Sequence, residues 1–467
     1  MNRISKKLLM GVLSVAFSLV ALGTVTFAWF TLTNTATVYP IELEISTNGG
    51  IEMAFMPLPD LSKVKDPAFY GLYSTAAYQN EVNFDMLKDY FEELGYDDDF
   101  EGLKNVTSSD GINFKDMNNE PVDELTAGGV FKFSVVIRSL VPNQNVYLTP
   151  FTSLTSNPIE WKSDANFQNS QGVDLKPGDV VTYYAANAAR MSFYSIDFDD
   201  EEVDYKFVYE LPEGAYGEGF SALYGNKKQG AKAQENGTVS YYNAKHITGR
   251  ITPEDVSAVE LVETQSSFLS QTPIARIPND TQDDAGYYYT AVEIRIWLEG
   301  WDADNIDAII QSQIKAQIQF TTEQPTGYVE EVYLENAAGE FKLVSSPVEH
   351  LAPVGERVSM ESVASEYSAN YELVTSKLEG VVDADELLVL SQSFRRKEYE
   401  IKFFSDEDNI DVENPDGIRK FKFGTLIDLE DLDVPAGYRL ALFTDESKSD
   451  EFISKLMPTY DLIATLC

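Results

Sequence analysis

The sequence predicts a mainly β protein, in which an N-terminal antiparallel β-sandwich with helical and loop insertions precedes two small β modules. Three observations support this fold class: apolar and polar residues alternate in many short segments, turn signals separate those segments, and segments with helical periodicity are few. A content of 43% hydrophobic and 12% aromatic residues is sufficient for packed cores. The length of 467 residues is compatible with about three domains.

The alternation first appears in residues 37–47 (TVYPIELEIST), where Leu43 and Ile45 are separated by a glutamate. This period of two is typical of a strand with one solvated face. Residues 48–50 (NGG) form a turn signal, and the following IEMAFMPL resumes the strand pattern. Together these segments predict a β-hairpin.

Two longer strands are predicted farther along the sandwich. In GGVFKFSVVIRSLVP the apolar positions from Phe131 to Ile137 share one face, and in AVEIRIWLEG the positions from Val292 to Leu298 do the same. After the second strand, Asp302 is expected to cap a short helix that turns Ile306, Ile309 and Ile310 inward. Asp304 is likewise interpreted as a helix-start residue. The strand IKAQIQF then closes the sandwich.

Two insertions are predicted within the sandwich. The segment VNFDMLKDYFEELG has apolar residues at three- and four-residue spacing and ends in Gly95, which indicates an amphipathic helix with a glycine C-cap. Residues 212–240 are rich in glycine and polar residues, so they are expected to form a long exposed loop.

Residues 1–28 have the layout of an export signal. Three basic residues within the first seven precede residues 8–30, which carry no charge. Small residues at Thr26 and Ala28 favour cleavage after Ala28, but a predominantly apolar run of 23 uncharged residues is also long enough to span a bilayer. A cleaved signal peptide and a retained membrane anchor helix therefore both stay open.

The residues around this junction, FAWFT followed by TNTATV and IELEIS, resemble the N-termini of Gram-positive (Firmicutes-type) proteins processed by SipW-type signal peptidases. That group includes camelysin and the TasA biofilm-fibre proteins. The resemblance is confined to the N-terminal part of the chain, up to about residue 50. It implies a jelly-roll-like sandwich whose mature chain begins just after the cleavage site, and we assign residues 29–322 to this domain.

A polar hinge, TTEQPTG, separates the sandwich from residues 328–398. These residues resemble a mucin-binding-protein repeat at three places: the step VGERV at 354–358, the strand start YEL at 371–373, and the basic pair Arg395 and Arg396. The resemblance implies a small β-grasp-like module.

Residues 399–467 resemble the internalin-type B-repeat, also called the Listeria–Bacteroides repeat. The matching pieces are the first strand YEIKF, the step at Phe423 and Gly424, the turn PAGY, and the closing MPTYD. The family's F-x-G-W stands here as LALF at 440–443, which puts any binding surface around that tryptophan in doubt. The resemblance implies a second β-grasp-like module.

No catalytic, cofactor-binding or metal-binding residues are predicted. The chain has only His246 and His350 as histidines and Cys467 as its only cysteine, and it contains no nucleophile-elbow, zincin or P-loop motif. Acid runs at 97–99, 197–201 and 280–284 lack the spacing of a calcium loop and are interpreted as solvated loops. Tyrosine pairs are interpreted as buried strand residues rather than as a carbohydrate-stacking face; they lie at 183–184, 241–242 and 287–289.

A formal net charge of −41 disfavours binding to nucleic acid or to anionic membranes. The sequence therefore predicts a non-enzymatic, exported cell-surface or extracellular-matrix protein with a structural or adhesive role. Its partner is expected to be itself, in a fibre or oligomer formed by N-terminal strand addition, or host and cell-surface glycans or proteins. The alternatives are a glycan- or protein-binding module held in the membrane through residues 8–30, and a secreted glycoside hydrolase.

Overall fold

The computed structural model describes residues 39–55, 77–83, 103–117, 120–122, 129–170, 172–196, 204–211, 235–246, 249–253, 264–309, 312–336, 339–345, 347–404, 415–427, 440–444 and short pieces between 451 and 466. Residues 1–28, residues 84–95 of the predicted amphipathic helix, and Cys467 lie outside this part of the chain. Val82 and Asn83, the first residues of that predicted helix, belong to a strand.

The fold is mainly β, as the alternation predicts. The strands up to the hinge are β1 (Tyr39–Thr47), β2 (Ile51–Phe55), β3 (Glu81–Asn83), β4 (Asn105–Thr107), β5 (Lys115–Asp116), β6 (Val130–Ser139), β7 (Gln144–Leu148), β8 (Ser153–Ser156), β9 (Ile159–Lys162), β10 (Phe167–Gln168), β11 (Asp174–Leu175), β12 (Val180–Tyr183), β13 (Ala189–Ile196), β14 (Asp204–Glu210), β15 (Ala275–Ile277), β16 (Tyr288–Glu299) and β17 (Gln313–Thr321). The helices among the described residues of this part are α1 (Thr238–Lys245) and the 3-10 turns Ala185–Ala188 and Asp307–Ile309.

The strands after the hinge are β18 (Gly327–Glu335), β19 (Phe341–Leu343), β20 (Val348–Leu351), β21 (Arg357–Ser359), β22 (Tyr371–Lys377), β23 (Glu379–Val381), β24 (Leu388–Arg396), β25 (Glu398–Phe404), β26 (Gly417–Lys422), β27 (Leu440–Phe443) and β28 (Leu462–Leu466). One short helix, α2 (Ala364–Tyr367), lies among them. The chain divides into two compact units, and the first comprises residues 1–328, 349–354 and 383–387. The second comprises residues 329–348, 355–382 and 388–467.

The first unit contains two large sheets. One has the order β15-β7-β17-β1-β3, with β8 also paired to β17. The other has the order β14-β13-β16, and β16 then pairs with β6 over most of its length and with β4 at its end. Strand β2 lies beside β6, and β5 lies beside β4.

A single apolar cluster joins the inner faces of these two sheets. Ile45 and Phe320 enter it from the first sheet, while Phe133, Phe193 and Ile294 enter it from the second. Each of these side chains is fully buried, and burial of one such side chain contributes about 1.5–3 kcal/mol to stability. The predicted face from Phe131 to Ile137 and the predicted face from Val292 to Leu298 both lie in this cluster, which confirms those two predictions.

The predicted hairpin of residues 37–58 is wrong. Strand β1 belongs to the first sheet and strand β2 to the second, so the two do not pair. The turn between them carries the chain across the sandwich, and both glycines, Gly49 (φ +77°) and Gly50 (φ +78°), adopt the left-handed conformation that glycine favours. A hairpin and a crossover between two layers both have alternating strands and a turn signal, so the sequence pattern does not distinguish them.

The predicted antiparallel character of the sandwich holds for most of the described strand pairs, and two pairs are parallel. Strand β1 runs parallel to β17, from Tyr39 opposite Gln313 to Thr47 opposite Phe320. The end of β16 runs parallel to β4. The sheets are therefore mixed, because alternation reports burial and not strand direction.

The predicted loop 212–240 is wrong at its C-terminal end. Residues 238–240 begin helix α1, in which Thr238, Val239, Tyr241 and Tyr242 are buried. Residues 212–234 lie outside the described part of the chain. The segment has low helix propensity and no apolar stripe, and the contacts of α1 with the rest of the unit hold it in place.

The second unit contains three groups of strands. Strands β19, β18, β24 and β22 form one sheet in that order, β21 pairs with β23, and β26-β25-β28-β27 form another sheet. Strand β28 runs parallel to β25 in the last group. Ile401, Met457 and Leu462 form the buried cluster that stabilises this group.

Glu335 connects the two predicted C-terminal modules within this unit. Its carboxylate accepts a hydrogen bond of 2.9 Å from the Arg396 amide and pairs with Lys422. The Arg396 guanidinium in turn donates to the Phe423 carbonyl over 2.8 Å. Partial burial by itself would raise the pKa of Glu335, but these donors lower it overall.

We expect Glu335→Gln to destabilise the second unit by about 1–3 kcal/mol, because the buried Lys422 contact and the amide donor lose a charged acceptor. A carboxyl whose pKa is lowered by folding stabilises above its unfolded pKa of 4.5, and the contribution is lost as the pH falls through the lowered pKa. The variant should therefore lose less stability at low pH than at neutral pH.

Urea unfolding followed by circular dichroism measures this effect. All four tryptophans lie at or before residue 301, so tryptophan fluorescence reports the first unit and should not change. Glu379→Gln is the matched control, since the Glu379 and Arg357 side chains are 66% and 76% exposed. An equal loss in both variants would contradict the expectation.

Candidate functional site: a buried carboxyl cluster

The most unusual chemistry of the first unit lies at one end of the seven-stranded sheet, on the face turned away from the sandwich core. Arg190 on β13 stands directly opposite Glu210 on β14 and opposite Trp297 on β16. Residues opposite one another in antiparallel strands project from the same face. Glu299 follows Trp297 by two positions, so it also projects from this face.

Arg190 is surrounded by three carboxyl groups. Its Nε lies 3.1 Å from Glu210 Oε2, its Nη1 lies 3.4 Å from Glu299 Oε2, and its Nη2 lies 3.6 Å from Asp302 Oδ2. Asp304 follows two residues later, and the charges of Asp302 and Glu210 both raise its pKa. We call Arg190, Glu210, Glu299, Asp302 and Asp304 the carboxyl cluster.

All five side chains of the carboxyl cluster are at 0% exposure. Glu299 also accepts a hydrogen bond of 3.3 Å from the Trp297 indole. Neither carboxylate oxygen of Asp304 makes a hydrogen bond of normal geometry, although the Ser170 hydroxyl lowers its pKa. If every member were ionised, four negative charges would face one positive charge at a site without solvent-exposed area.

The segment 300–306 covers the cluster and is tied down on several sides. The Gly300 amide donates to the Val106 carbonyl over 2.8 Å, and Trp297 packs edge-on against Phe114 at 5.1 Å. Thr238, at the start of α1, donates to the carbonyls of Asp302 and Asn305. The Asn305 amide donates to the Glu299 carbonyl over 2.8 Å. These contacts shield the carboxyl groups from solvent.

The prediction that Asp302 caps a helix is wrong. The only helical piece here among the described residues is the 3-10 turn Asp307–Ile309, which begins five residues later. Asp302 Oδ1 instead accepts the Asp304 amide over 3.0 Å, which forms a local Asx-type turn. The predicted inward direction of Ile306 is confirmed, since Ile306 lies in the sandwich core.

Burial raises the pKa of each acid in the cluster. For Asp304, burial acts together with repulsion from Asp302 to raise the pKa well above its usual value. For Asp302, burial and repulsion from Glu210 outweigh the attraction of Arg190. For Glu210 and Glu299, burial raises the pKa while Arg190 lowers it in part.

A second acidic pair lies close by along the chain. The Tyr241 hydroxyl is 3.1 Å from Asp164 Oδ1 and 3.0 Å from Asp307 Oδ2. A phenol has a single hydrogen to donate, so both contacts are favourable only if one carboxyl also carries a proton. Asp164 pairs with Lys245, and burial raises the pKa of Asp307, partly offset by the Tyr241 hydrogen bond and by Lys245.

The carboxyl cluster is not suited to hydrolysis of a substrate, because none of its carboxyl groups is exposed. Within the described ranges, no group of three or more His, Cys, Asp or Glu side chains has the arrangement of a metal site. The chemistry that this geometry supports is the binding of protons and the internal pairing of charge.

The structure places the sequence-predicted acid runs elsewhere. Residues 97–99 and 197–201 lie outside the described residues, whereas Asp280 and Asp284 are exposed. Asp283 accepts the amides of Ala285 and Tyr287 and the hydroxyl of Tyr289, so it stabilises a turn.

The histidines and tyrosines have structural contacts. His246 stacks on Tyr242 with ring centroids 4.2 Å apart, and His350 stacks on Tyr328 at 4.6 Å. Tyr183 and Tyr289 are buried in strands, which confirms the interpretation for these two residues. Tyr241 and Tyr242 are buried as well, but in helix α1. Tyrosines 184, 287 and 288 are only half-buried.

The sequence reasoning did not find the carboxyl cluster. The one available signal was the presence of an arginine between apolar neighbours in AANAARMSFY, together with acids at the ends of the strands VDYKFVYE and EIRIWLE. The sequence alone does not show that these strand ends are adjacent in the fold, because β13 and β16 are about 100 residues apart along the chain.

No helix among the residues that the structure describes is long and apolar enough to cross a bilayer, and the segment 8–30 is not among them. No protein-family model matches the sequence, and no curated protein matches it.

Proposed function

We propose that this chain is a non-enzymatic, exported cell-surface or extracellular-matrix protein that assembles by strand addition. In this proposal residues 29–38, freed by cleavage after Ala28, leave their own molecule and add to a sheet edge of a neighbouring copy. The two C-terminal modules serve as spacers or adhesive elements. The chemistry of assembly is backbone pairing, as in other exported fibres.

The observation that supports the proposal is the position of β1. This strand follows the WFTLTNTATV segment directly, and β17 pairs with it along one side from Tyr39 to Thr47. On the other side β3 pairs only with Glu44, Ile45 and Ser46. Within the described part of the chain, residues 39–43 therefore present one open edge, and open edges accept strands from other chains.

The segment itself suits strand addition. Its ten residues carry no charge and include four threonines and two aromatic residues, a composition favourable for a strand. Fully extended, it spans about 33 Å, enough to reach a neighbouring copy. With a net charge of −41 the folded surfaces repel one another, so a neutral segment is the part that two copies can bring together.

Electron microscopy of two purified proteins tests the proposal, one starting at Trp29 and the other at Tyr39. We expect fibres or ordered oligomers from the first and monomers from the second. As a control, replacement of Thr33 and Thr35 by proline should also prevent assembly, because proline removes backbone donors from the added strand. Monomers from both unsubstituted proteins would overturn the proposal.

The site of cleavage distinguishes this function from that of a membrane-anchored binding module. Sequencing the N-terminus of the protein recovered from its native producer should give Trp29 as the first residue. An N-terminus that still includes Lys6 and Lys7 would favour the anchored module instead, since residues 8–30 would then remain in the bilayer.

A further inference from the structure

We propose that the carboxyl cluster is a proton-binding site of the folded protein, in which Asp304 and Asp302 are held as neutral carboxylic acids at neutral pH. The first unit is then most stable in mildly acidic surroundings and loses stability as the pH rises. This inference does not depend on the proposed assembly.

The first argument is the charge balance. Four carboxyl groups and one guanidinium share a site with no exposed side-chain area. A buried charge without a partner is so costly that the group neutralises instead of remaining ionised. One arginine offsets one of the four negative charges, so most of the surplus has to be removed by protons or by a cation. Protonation of Asp302 and Asp304 removes two of these charges and leaves Arg190 shared between Glu210 and Glu299.

The second argument identifies the groups that take up the protons. Arg190 approaches Glu210 to 3.1 Å and Glu299 to 3.4 Å, and Glu299 also receives the Trp297 indole. Asp302 lies farther from Arg190, at 3.6 Å. Asp304 has no ion pair and no hydrogen bond of normal geometry. The positive charge therefore favours ionised glutamates, and the two aspartates are left to bind protons.

The third argument concerns the surroundings of Asp304. Among the residues that the structure describes, the groups that face the cluster from the packed elements are Arg190 from β13, Glu210 from β14, Glu299 from β16, Tyr183 from β12, and Ser170 from the segment after β10. Only Arg190 among them is cationic. The Tyr183 phenol has a raised pKa, first because of burial and second because of Asp304, so it stays neutral and supplies no compensating charge.

A cation is the competing explanation for charge balance. The described carboxyl oxygens do not have the arrangement of a metal site, so protons are the neutralising species that the geometry supports. The neighbouring Asp307, which shares the Tyr241 hydroxyl with Asp164, is a second acid of this unit whose pKa is raised by burial.

The sign of the pH dependence follows from linkage. A carboxyl whose pKa is raised by folding costs nothing below its unfolded pKa, which is 3.8 for aspartate. Its cost grows as the pH rises toward the folded pKa. For each extra proton that the folded state holds, the unfolding equilibrium constant increases about tenfold per pH unit.

The test is urea unfolding of the full chain between about pH 6.5 and 8.5, followed by tryptophan fluorescence, since Trp297 and Trp301 adjoin the cluster. Both histidines are replaced in the background His246→Gln/His350→Gln, because histidine is the residue type that ordinarily titrates in this pH range.

We expect the unfolding constant to rise with pH. Asp304→Asn keeps the shape of a protonated carboxyl but has no proton to lose. The increase of its unfolding constant per pH unit should therefore be about tenfold smaller than in the background protein. Asp283→Asn is the matched control and should leave the slope unchanged.

A direct readout accompanies the pH series. Infrared spectra of the folded protein at neutral pH should contain the C=O stretching band of protonated carboxylic acid, and that band should weaken in Asp304→Asn. If Asp304→Asn does not fold, the infrared spectrum and the pH series of the background protein are sufficient to test the proposal. No such band together with a flat pH series would overturn the proposal. A stoichiometric metal found by elemental analysis, whose removal by a chelator destabilises the first unit, would overturn it in favour of a cation.

Discussion

Replacement of Arg190 by methionine is expected to destabilise the first unit by about 3–5 kcal/mol, the typical cost of removing one partner from a buried ion pair. Arg190 is the one cation of the carboxyl cluster, and its three nitrogen contacts reach Glu210, Glu299 and Asp302. Methionine fills a similar volume but leaves these carboxyl groups without compensation. Urea unfolding followed by tryptophan fluorescence measures the loss.

The loss should depend on pH in a defined direction. When the carboxyl groups become protonated at low pH, they no longer need the guanidinium, so the difference between Arg190→Met and the unsubstituted protein should shrink as the solution is acidified. Combination with Glu210→Gln should restore part of the stability, because Glu210 is the carboxylate closest to Arg190 and would otherwise remain buried without its partner. A double variant as unstable as the sum of both single variants would contradict a shared electrostatic cause.

Arg138→Met is the matched control in the same unit. Arg138 pairs with Glu52 at 2.6 Å and lies between the rings of Tyr78 and Tyr287, but its side chain is 17% exposed and partly solvated. A pair at the surface contributes about 1 kcal/mol or less, and the two ring contacts add a similar amount. A loss as large as that of Arg190→Met would show that burial is not the reason for the effect.

How much of this fold the sequence predicts depends on which property each pattern reports. Alternation identified the buried faces of β6 and β16, because a period of two records which side of a strand is apolar. It did not identify the partner of β1, since alternation is the same for a strand in either layer. The NGG turn was therefore interpreted as a hairpin although it connects two sheets.

The carboxyl cluster shows the same limit for the site. Arg190, Glu210 and Glu299 stand at the ends of three strands, and a polar residue at a strand end is ordinarily solvated. Their burial results from the cover supplied by segments 103–117 and 300–306, which is a property of the tertiary structure. Asp302 was interpreted as a cap because an aspartate before an apolar run has that role in most helices.

The second large effect is expected at Gly237, the residue before helix α1. Its backbone angles are φ 65° and ψ −126°, a region that side chains with a Cβ rarely adopt. A Cβ at this position would stand 2.2 Å from the Ala303 carbonyl oxygen and 2.6 Å from the Ala303 Cβ. Ala303 lies between Asp302 and Asp304, so relief of the clash would displace the cover of the carboxyl cluster.

We therefore expect Gly237→Ala to destabilise the first unit by about 3 kcal/mol or more, since backbone strain and overpacking each cost about 1–3 kcal/mol. Urea unfolding by tryptophan fluorescence gives the free energy. Gly50→Ala is the control, because Gly50 has a similar φ of +78° but would meet no atom within 4 Å. That variant should lose only the left-handed cost of about 1–2 kcal/mol. An equal loss of unfolding free energy in both variants would mean that the contact with Ala303 contributes nothing. The segment 300–306 would then move aside more easily than the hydrogen bonds of Thr238 and Asn305 imply.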